Sequence, residues 1–281
     1  MSPRLMVLNA LICRDDAPAV VSMCPRMLGR AVPAAWVSHR DSMAGMTDPR
    51  QIVAMGGGGF VASPPNPLLT KFVLSLARSP RPRVCFVPTA SADSAVYVAN
   101  VYRGLAPFDC VPSDLALFER SVADLESFIL SQDVVFVGGG STANLLAVWR
   151  THGLDRILQR AWEDGVLLCG VSAGMNCWFE ASVTDSFDIA ELAALNDGLG
   201  FLAGSCCPHY DSEPKRRPSY EKFVAAGTLA EGWAADDGAA LVFRGEDLVE
   251  VVSWFPESRA YRIQKSPAGV TETALPTRYL G

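Results

Sequence analysis

From about residue 47 onward, short apolar runs alternate with longer segments in which apolar residues recur at helical spacing. The short runs, bounded by glycine, proline or polar residues, predict buried strands, and the longer segments predict helices. The predicted strands cover residues 51–55, 84–88, 134–137 and 166–170. The predicted helices cover residues 66–77, about 94–104, 141–150 and 153–163. This alternation predicts an α/β fold, with a mostly parallel sheet flanked by helices on both faces.

The C-terminal part of the chain has a different pattern. Apolar runs at 233–243, 248–254 and 260–263 follow one another without helical segments, and 245–247 has the composition of a hairpin turn. We therefore expect antiparallel strands that close the sheet at its C-terminal end. No internal repeat or linker interrupts the pattern, which predicts one α/β domain over residues 46–281.

The first 45 residues have no sustained helical or strand period. They carry arginine, proline, methionine and alanine, and their apolar start is too weak for a signal peptide. We expect residues 1–45 to be a poorly ordered extension and the working protein to start near Met46.

Composition excludes several classes of function. The chain has 281 residues, 49% of them hydrophobic and 19% charged, with a net charge of −6 and no basic run. These values predict a well-buried core and argue against binding to nucleic acid. No apolar stretch reaches the roughly 18 residues that a membrane span needs. We expect a cytoplasmic enzyme that is a monomer or a homodimer.

The eight cysteines predict neither a disulfide framework nor a metal site. Cys85, Cys169 and Cys177 fall within predicted core elements, and the adjacent pair Cys206 and Cys207 lacks zinc-ligand spacing. With only three histidines in the chain, we expect no metal and no cofactor, and free thiols in a reducing compartment.

Ser172 is the centre of a Gly-x-Ser-x-Gly motif between a predicted strand and a predicted helix over 173–181. Strand, tight turn and helix make a nucleophile elbow, which pushes the serine hydroxyl out of the backbone. The first N–H groups of the helix would then face a developing anion. The alternative is a glycine-lined turn whose serine only caps the helix.

His209 is the candidate general base for this serine. His39 lies in the N-terminal extension, and His152 ends a predicted helix, where an imidazole more often caps carbonyl groups. His209 lies in a loop that follows an apolar run, and loops at strand ends carry catalytic groups in α/β folds. A carboxylate should orient the imidazole. Asp185 is the first candidate, with Asp188 and Glu191 as alternatives.

A second glycine cluster, 138–140, follows the predicted strand 134–137 and opens a predicted helix. We expect an oxyanion hole, with one N–H from Gly140 or Gly139 and the other from Ala173. A phosphate-binding loop is the rival, but the lysine of a Walker motif is absent.

Four further residues are candidates for substrate binding. Arg216 and Arg217 could grip a carboxylate, although a solvated loop is the more ordinary reading. Thr142 and Asn144 could contact substrate from a helix start, where capping is an equal alternative.

The motifs at 136–146, 170–176, 184–186 and 207–211 together resemble those of the peptidase E family of serine peptidases. That family includes the α-aspartyl dipeptidases and, more distantly, cyanophycinase, and the resemblance covers roughly residues 50–265. It implies a class I glutamine amidotransferase-like fold, with Ser172 as nucleophile, His209 as base and Asp185 as acid.

The resemblance implies hydrolysis of dipeptides with an N-terminal aspartate through an acyl-enzyme. Two alternatives stay open at this point. One is the same triad acting on a cyanophycin-like or isoaspartyl peptide or on an ester. The other is a non-catalytic binding module on an amidotransferase-like scaffold.

Overall fold

The structure is a computed structural model that describes residues 48–59, 66–188, 190–267 and 269–281. The predicted N-terminal extension, with His39, lies outside these residues. Within them the chain forms strands β1 Gln51–Met55, β2 Arg83–Val87, β3 Val111–Asp114, β4 Val134–Val137, β5 Leu167–Val171, β6 Phe179–Thr184, β7 Ala193–Leu195, β8 Leu202–Cys207, β9 Gly232–Ala235, β10 Ala239–Arg244, β11 Asp247–Ser253, β12 Ala260–Ser266, β13 Gly269–Ala274 and β14 Arg278–Tyr279. The α-helices are α1 Pro67–Leu76, α2 Ala95–Leu105, α3 Leu125–Leu130, α4 Thr142–His152, α5 Leu154–Glu163, α6 Ala173–Asn176 and α7 Arg216–Ala226, with a 3-10 turn at Thr89–Ser91.

The larger sheet has eight strands in the order β14-β11-β10-β1-β5-β4-β2-β3. Strands β1, β5, β4, β2 and β3 run parallel to one another. Strands β10 and β11 join this core in antiparallel pairing, as the C-terminal pattern predicts, and the hairpin turn falls between them. The third run predicted to close this sheet, 260–263, instead lies in β12 of a second sheet.

The central strands bury both of their faces. Along β1, for example, Ile52 and Ala54 belong to one hydrophobic cluster, and Val53 and Met55 belong to the other. Buried side chains of α1 and α2 pack into the second cluster, and those of α3, α4 and α5 pack into the first. Successive side chains of a strand point to opposite faces of the sheet, so the two clusters lie on opposite faces. Helices therefore cover both faces of the larger sheet.

A second sheet of six strands, β13-β12-β9-β8-β6-β7, was not predicted from the sequence. Strands β6, β8 and β9 are parallel, and β7, β12 and β13 add antiparallel edges. Helix α7 packs on this sheet through Tyr220 and Val224.

The predicted helix over 173–181 is wrong beyond its first turn. Helix α6 ends at Asn176, and the chain turns into strand β6 at Phe179. The carbonyl groups of Cys177 and Trp178 accept hydrogen bonds from Leu199 and Leu202. These long-range bonds replace the helical ones, and no local pattern could reveal them.

Among the helices that the structure describes, none has the length and apolar character needed to cross a membrane.

Candidate active site

Ser172 lies at a sharp turn between β5 and α6. Its backbone has φ of 57° and ψ of −112°, a strained conformation that a nucleophile elbow requires. A Cβ atom at Gly170 would lie 2.2 Å from the Gly174 carbonyl oxygen, and one at Gly174 would lie 2.3 Å from that of Val137. Both glycines of the motif are thus required sterically. The turn is further held by the Ser172 N–H, which donates to the Met55 carbonyl oxygen at 3.2 Å.

His209 follows β8 and pairs with Asp237, which follows the neighbouring parallel strand β9. The Nδ1 atom of His209 lies 2.7 Å from Oδ1 of Asp237. This contact leaves Nε2 as the ring nitrogen available for proton transfer. The backbone of His209 has φ of 54°, a conformation that is strained for a residue other than glycine.

The Met55–Gly57 stretch, at the end of β1, lies between the serine and the His209–Asp237 pair. Met55 binds the backbone of Ser172, whereas Gly57 lies directly against the pair. A Cβ atom at Gly57 would come within 1.8 Å of Asp237 Oδ1 and 2.8 Å of His209 Nδ1. The backbone also bridges to the turn that carries the acid, since Gly238 N–H donates to Gly57 O at 3.2 Å. The fold thereby brings the predicted nucleophile and the predicted base to opposite ends of one short segment.

Asp185 does not contact His209 in this arrangement. Its carboxylate is half-exposed and lies 3.8 Å from Nη2 of Arg216. The two alternatives are also used elsewhere: Asp188 accepts the N–H of Ala190, and Glu191 lies 3.9 Å from Lys215 Nζ. The carboxylate that meets His209 comes after the histidine in the chain, not between the serine and the histidine.

The sequence did contain a signal for Asp237. The run from Asp236 through Gly238 is a turn signature, and it divides the apolar run 233–243 into strands β9 and β10. The apolar pattern alone predicts one closing strand over this run. A carboxylate at the end of a strand parallel to β8 lies where the histidine needs it.

The pKa of Asp237 is held below its usual value. Partial burial acts to raise this pKa, but the hydrogen bond from His209 and the charge of its imidazolium outweigh that effect. The charge of Arg216 acts in the same direction. The carboxylate is therefore ionised at neutral pH and can stabilise a positive His209.

Next to this residue, Asp236 is buried, with only 3% of its surface exposed. Burial raises the pKa of its carboxyl to about 6, and the charge of Asp211 adds to the shift. One carboxyl oxygen accepts hydrogen bonds from the Arg259 N–H and the Tyr261 hydroxyl. Two neighbouring carboxyls therefore have opposite shifts, set by their surroundings.

The glycine loop 138–140 lies beside the serine. A Cβ atom at Gly139 would lie 3.3 Å from Ser172 Cβ. However, the Gly139 N–H already donates to Tyr97 Oη at 3.2 Å. Of the two alternatives for this side of an oxyanion hole, Gly140 is the one whose N–H is bonded to no other described residue. Ala173 is the first residue of α6, where the N–H needs no intrahelical partner.

Thr142 and Asn144 have different surroundings at the start of α4. The Thr142 side chain is buried, and its Oγ1 accepts a hydrogen bond from Asn176 Nδ2 at 3.1 Å. Asn144 is exposed, and its backbone N–H donates to the capping hydroxyl of Ser141. Thr142 thus ties α4 to the helix that follows the serine, and only the Asn144 side chain is open to a ligand.

The two candidate arginines also differ. Arg216 is buried and donates to Glu213 at 2.7 Å and to the Val183 carbonyl oxygen at 3.0 Å. Arg217 is half-exposed; its guanidinium lies over the rings of Tyr210 and Tyr261 and donates to Glu272 at 2.8 Å. Arg216 is therefore part of the scaffold, whereas Arg217 can still reach a ligand.

The cysteines of the described ranges, including Cys206 and Cys207, are unpaired and buried. Burial raises the pKa of the Cys207 thiol to about 12, so it is not a competing nucleophile. In the same ranges, no cluster of three histidine, cysteine or acidic side chains is arranged to hold a metal ion.

Comparison with known proteins places these features in a wider group. Residues 52–251 match the family described as Peptidase family S51. The chain is 47% identical over 232 residues to the uncharacterized peptidase YgaJ of Bacillus subtilis, which covers 83% of this chain and all of that protein. It is 33% identical over 137 residues to Peptidase E of Streptomyces coelicolor, which covers 47% of this chain and 53% of that protein.

A solved structure has a similar fold. It is the crystal structure of a peptidase from an acI-B1 Actinobacterium, with a TM-score of 0.62 at 19% identity. The similarity covers 81% of this chain and 94% of the other.

Proposed function

The chain belongs to peptidase family S51 and is a serine-type peptidase; we propose that Ser172, His209 and Asp237 are its catalytic triad. The observation that carries this proposal is the 2.7 Å contact between His209 Nδ1 and Asp237 Oδ1, which the Met55–Gly57 backbone links to a serine at a strained elbow. Asp185 has no part in it, because its carboxylate lies beside Arg216.

The reaction follows from the roles of these groups. His209 takes the proton of the Ser172 hydroxyl as its oxygen attacks the substrate carbonyl, and Asp237 stabilises the imidazolium. The tetrahedral oxyanion accepts hydrogen bonds from the N–H groups of Ala173 and Gly140. His209 then gives its proton to the leaving amine. Water repeats the sequence on the acyl-enzyme and releases the acid.

For the substrate we propose short peptides, and first among them dipeptides with an N-terminal aspartate. Arg217 supports this choice, because it is half-exposed and its guanidinium is pre-oriented by two aromatic rings. A fixed guanidinium recognises a carboxylate well. Glu272 neutralises part of its charge, so the selectivity for an acidic substrate should be moderate.

The arrangement of the fold is part of the same proposal. The parallel strands β1, β5, β4 and β2, with an elbow after β5, are consistent with a class I glutamine amidotransferase-like core.

A panel of substrates tests the proposed function. Purified protein is assayed with Asp-X dipeptides, isoaspartyl dipeptides, a cyanophycin-like peptide and a simple ester, with Ser172→Ala as the control. We expect the Asp-X dipeptides to be cleaved fastest and all cleavage to be lost in Ser172→Ala. Faster cleavage of another member of the panel would change the proposed substrate but would leave the proposed triad unaffected. Cleavage that survives in Ser172→Ala would contradict the triad itself.

A further inference from the structure

Tyr97 connects helix α2 to the glycine loop beside Ser172. Its ring packs against Phe86 at 5.0 Å between centroids, and Phe86 stacks on Phe136 of β4 at 5.4 Å. Its hydroxyl oxygen accepts the hydrogen bond of the Gly139 N–H at 3.2 Å. The ring is thus fixed by core packing, and its oxygen holds one peptide group of the loop.

The peptide group that Tyr97 holds lies at the edge of the reaction centre. A Cβ atom at Gly139 would be 3.3 Å from Ser172 Cβ and 3.7 Å from Ser172 Oγ. A Cβ atom at Gly138 would be 3.1 Å from Cε1 of Tyr97 and 3.0 Å from the ring of Phe86. The loop is therefore clamped between the aromatic rings on one side and the nucleophile on the other.

The loop has a second attachment one residue after Gly140. The Ser141 N–H donates to the Ala90 carbonyl oxygen at 2.8 Å, and a Cβ atom at Gly140 would lie 2.1 Å from that oxygen. Gly140 itself has φ of +137°, a backbone that favours glycine. The proposed oxyanion donor, the Gly140 N–H, thus lies between Gly139 and Ser141, whose own N–H groups are both held by hydrogen bonds.

We propose that Tyr97 is a positioning residue of the oxyanion hole, which acts through Gly139 to hold the Gly140 N–H toward the developing anion. This inference rests on the proposed function. A donor contributes only when it lies within hydrogen-bond distance of the oxyanion, and losing one costs about 100–1000-fold in turnover. Without the Tyr97 hydroxyl the loop keeps its Ala90 attachment, so we expect a smaller loss of about tenfold.

The test compares Tyr97→Phe with Tyr102→Phe, a matched control on the same helix. The Tyr102 hydroxyl donates to Asp114 at 2.9 Å, and Asp114 belongs to the edge strand β3. Each variant is treated with a small fluorophosphonate probe, and the second-order rate of adduct formation is measured by intact mass across pH. The phosphonyl oxygen stands in for the oxyanion. The kcat and KM of any cleaved peptide and the melting temperature are measured in parallel.

For Tyr97→Phe we expect labelling and kcat to fall about tenfold at every pH, with KM and the pH profile unchanged, because His209 and Asp237 are untouched. Tyr102→Phe should label at the wild-type rate. Equal labelling rates for Tyr97→Phe and wild type would overturn the positioning role, as would a change seen only in the melting temperature. Failure of the wild type to label would instead count against the proposed function, so the two failures are distinguishable.

Discussion

At the scale of single residues, the exchange of Asp185 for Asp237 is the most consequential difference between sequence and structure. Ser172, His209 and the glycine loop can be proposed as site residues from the sequence because each has a local signature: a motif, a rare residue type and a run of glycines. Asp237, the proposed acid, has no local signature that links it to His209. Asp237 meets His209 only because β8 and β9 are parallel neighbours in a sheet that the sequence pattern did not predict.

Asp237→Asn should lower kcat strongly, by about 1000-fold or more, because the neutral amide cannot hold the imidazole in the correct tautomer or stabilise its cation. Asp185→Asn is the matched control and should keep kcat within a factor of about three. Both are measured on the best substrate of the panel at saturating concentration. The reverse ranking would return Asp185 to the triad.

Gly57→Ala should inactivate the protein although Gly57 makes no chemical contribution. Its methyl group would overlap Asp237 Oδ1 at 1.8 Å and must displace the carboxylate from His209. Gly153→Ala is the control for a glycine replacement without overlap, because a Cβ atom there meets nothing within 4 Å and its φ of +70° adds a backbone strain that Gly57 lacks. Full activity in Gly57→Ala, measured as kcat, would show that the pair tolerates displacement.

At the scale of elements, the short helix α6 shows what a sequence pattern can and cannot predict. The pattern correctly placed strand, turn and helix around Ser172. The predicted helix extends to residue 181, because the residues after Asn176 are mostly apolar and suit either a helix or a strand. The helix ends there because the N–H groups of Leu199 and Leu202 donate to the carbonyl groups of Cys177 and Trp178. These partners are distant in sequence, so a local pattern cannot reveal them.

Asn176 holds this junction together. Its buried amide donates to Thr142 Oγ1 and to the Val183 carbonyl oxygen, so it joins α6 to α4 and β6. Asn176→Ala should lower the free energy of unfolding by about 2 kcal/mol, because it leaves a buried polar group without its partner. The exposed Asn144→Ala should stay within about 0.5 kcal/mol of wild type in the same urea titration. Equal effects from the two variants would show that the amide is not a structural tie.

At the scale of the whole molecule, the alternation of strands and helices identified β1, β2, β4 and β5 of the larger sheet, and the C-terminal pattern identified β11 and, merged with β9, β10. The second sheet escaped prediction for a physical reason. Its strands lie among turns and are paired across distances of tens of residues, and the N-terminal half of β6 reads equally well as helix. The segment that carries β3 and α3 also went unassigned.

The carboxyl groups of Asp236 and Asp237, which follow β9, should give the free energy of unfolding opposite dependences on pH. Asp236 has a pKa raised to about 6, so its contribution to stability is present below about pH 4 and is lost as the pH rises through 6. Asp237 has a lowered pKa, so its contribution is present above about pH 4 and is lost as the pH falls through the folded value.

Asp236→Asn removes the pH-dependent contribution of Asp236 to the free energy of unfolding. Between pH 4 and pH 7, the unfolding free energy of the variant relative to wild type should rise by roughly 2 kcal/mol, since a full pKa unit corresponds to about 1.4 kcal/mol. Burial is the main cause of the raised pKa and the charge of Asp211 adds to it, whereas the Arg259 N–H, the Tyr261 hydroxyl and the charge of Arg217 oppose it. Urea titrations at a series of pH values measure the difference. A difference that is flat with pH would contradict the raised pKa.

Covalent labelling is the sharpest test of whether Ser172 is a nucleophile that His209 activates. Purified wild type, Ser172→Ala and His209→Ala are each treated with a fluorophosphonate and analysed by intact mass. We expect a single adduct on wild type, none on Ser172→Ala, and labelling of His209→Ala that is slower by a factor of about 1000. An adduct that persists in Ser172→Ala, or equal labelling rates with and without His209, would contradict it.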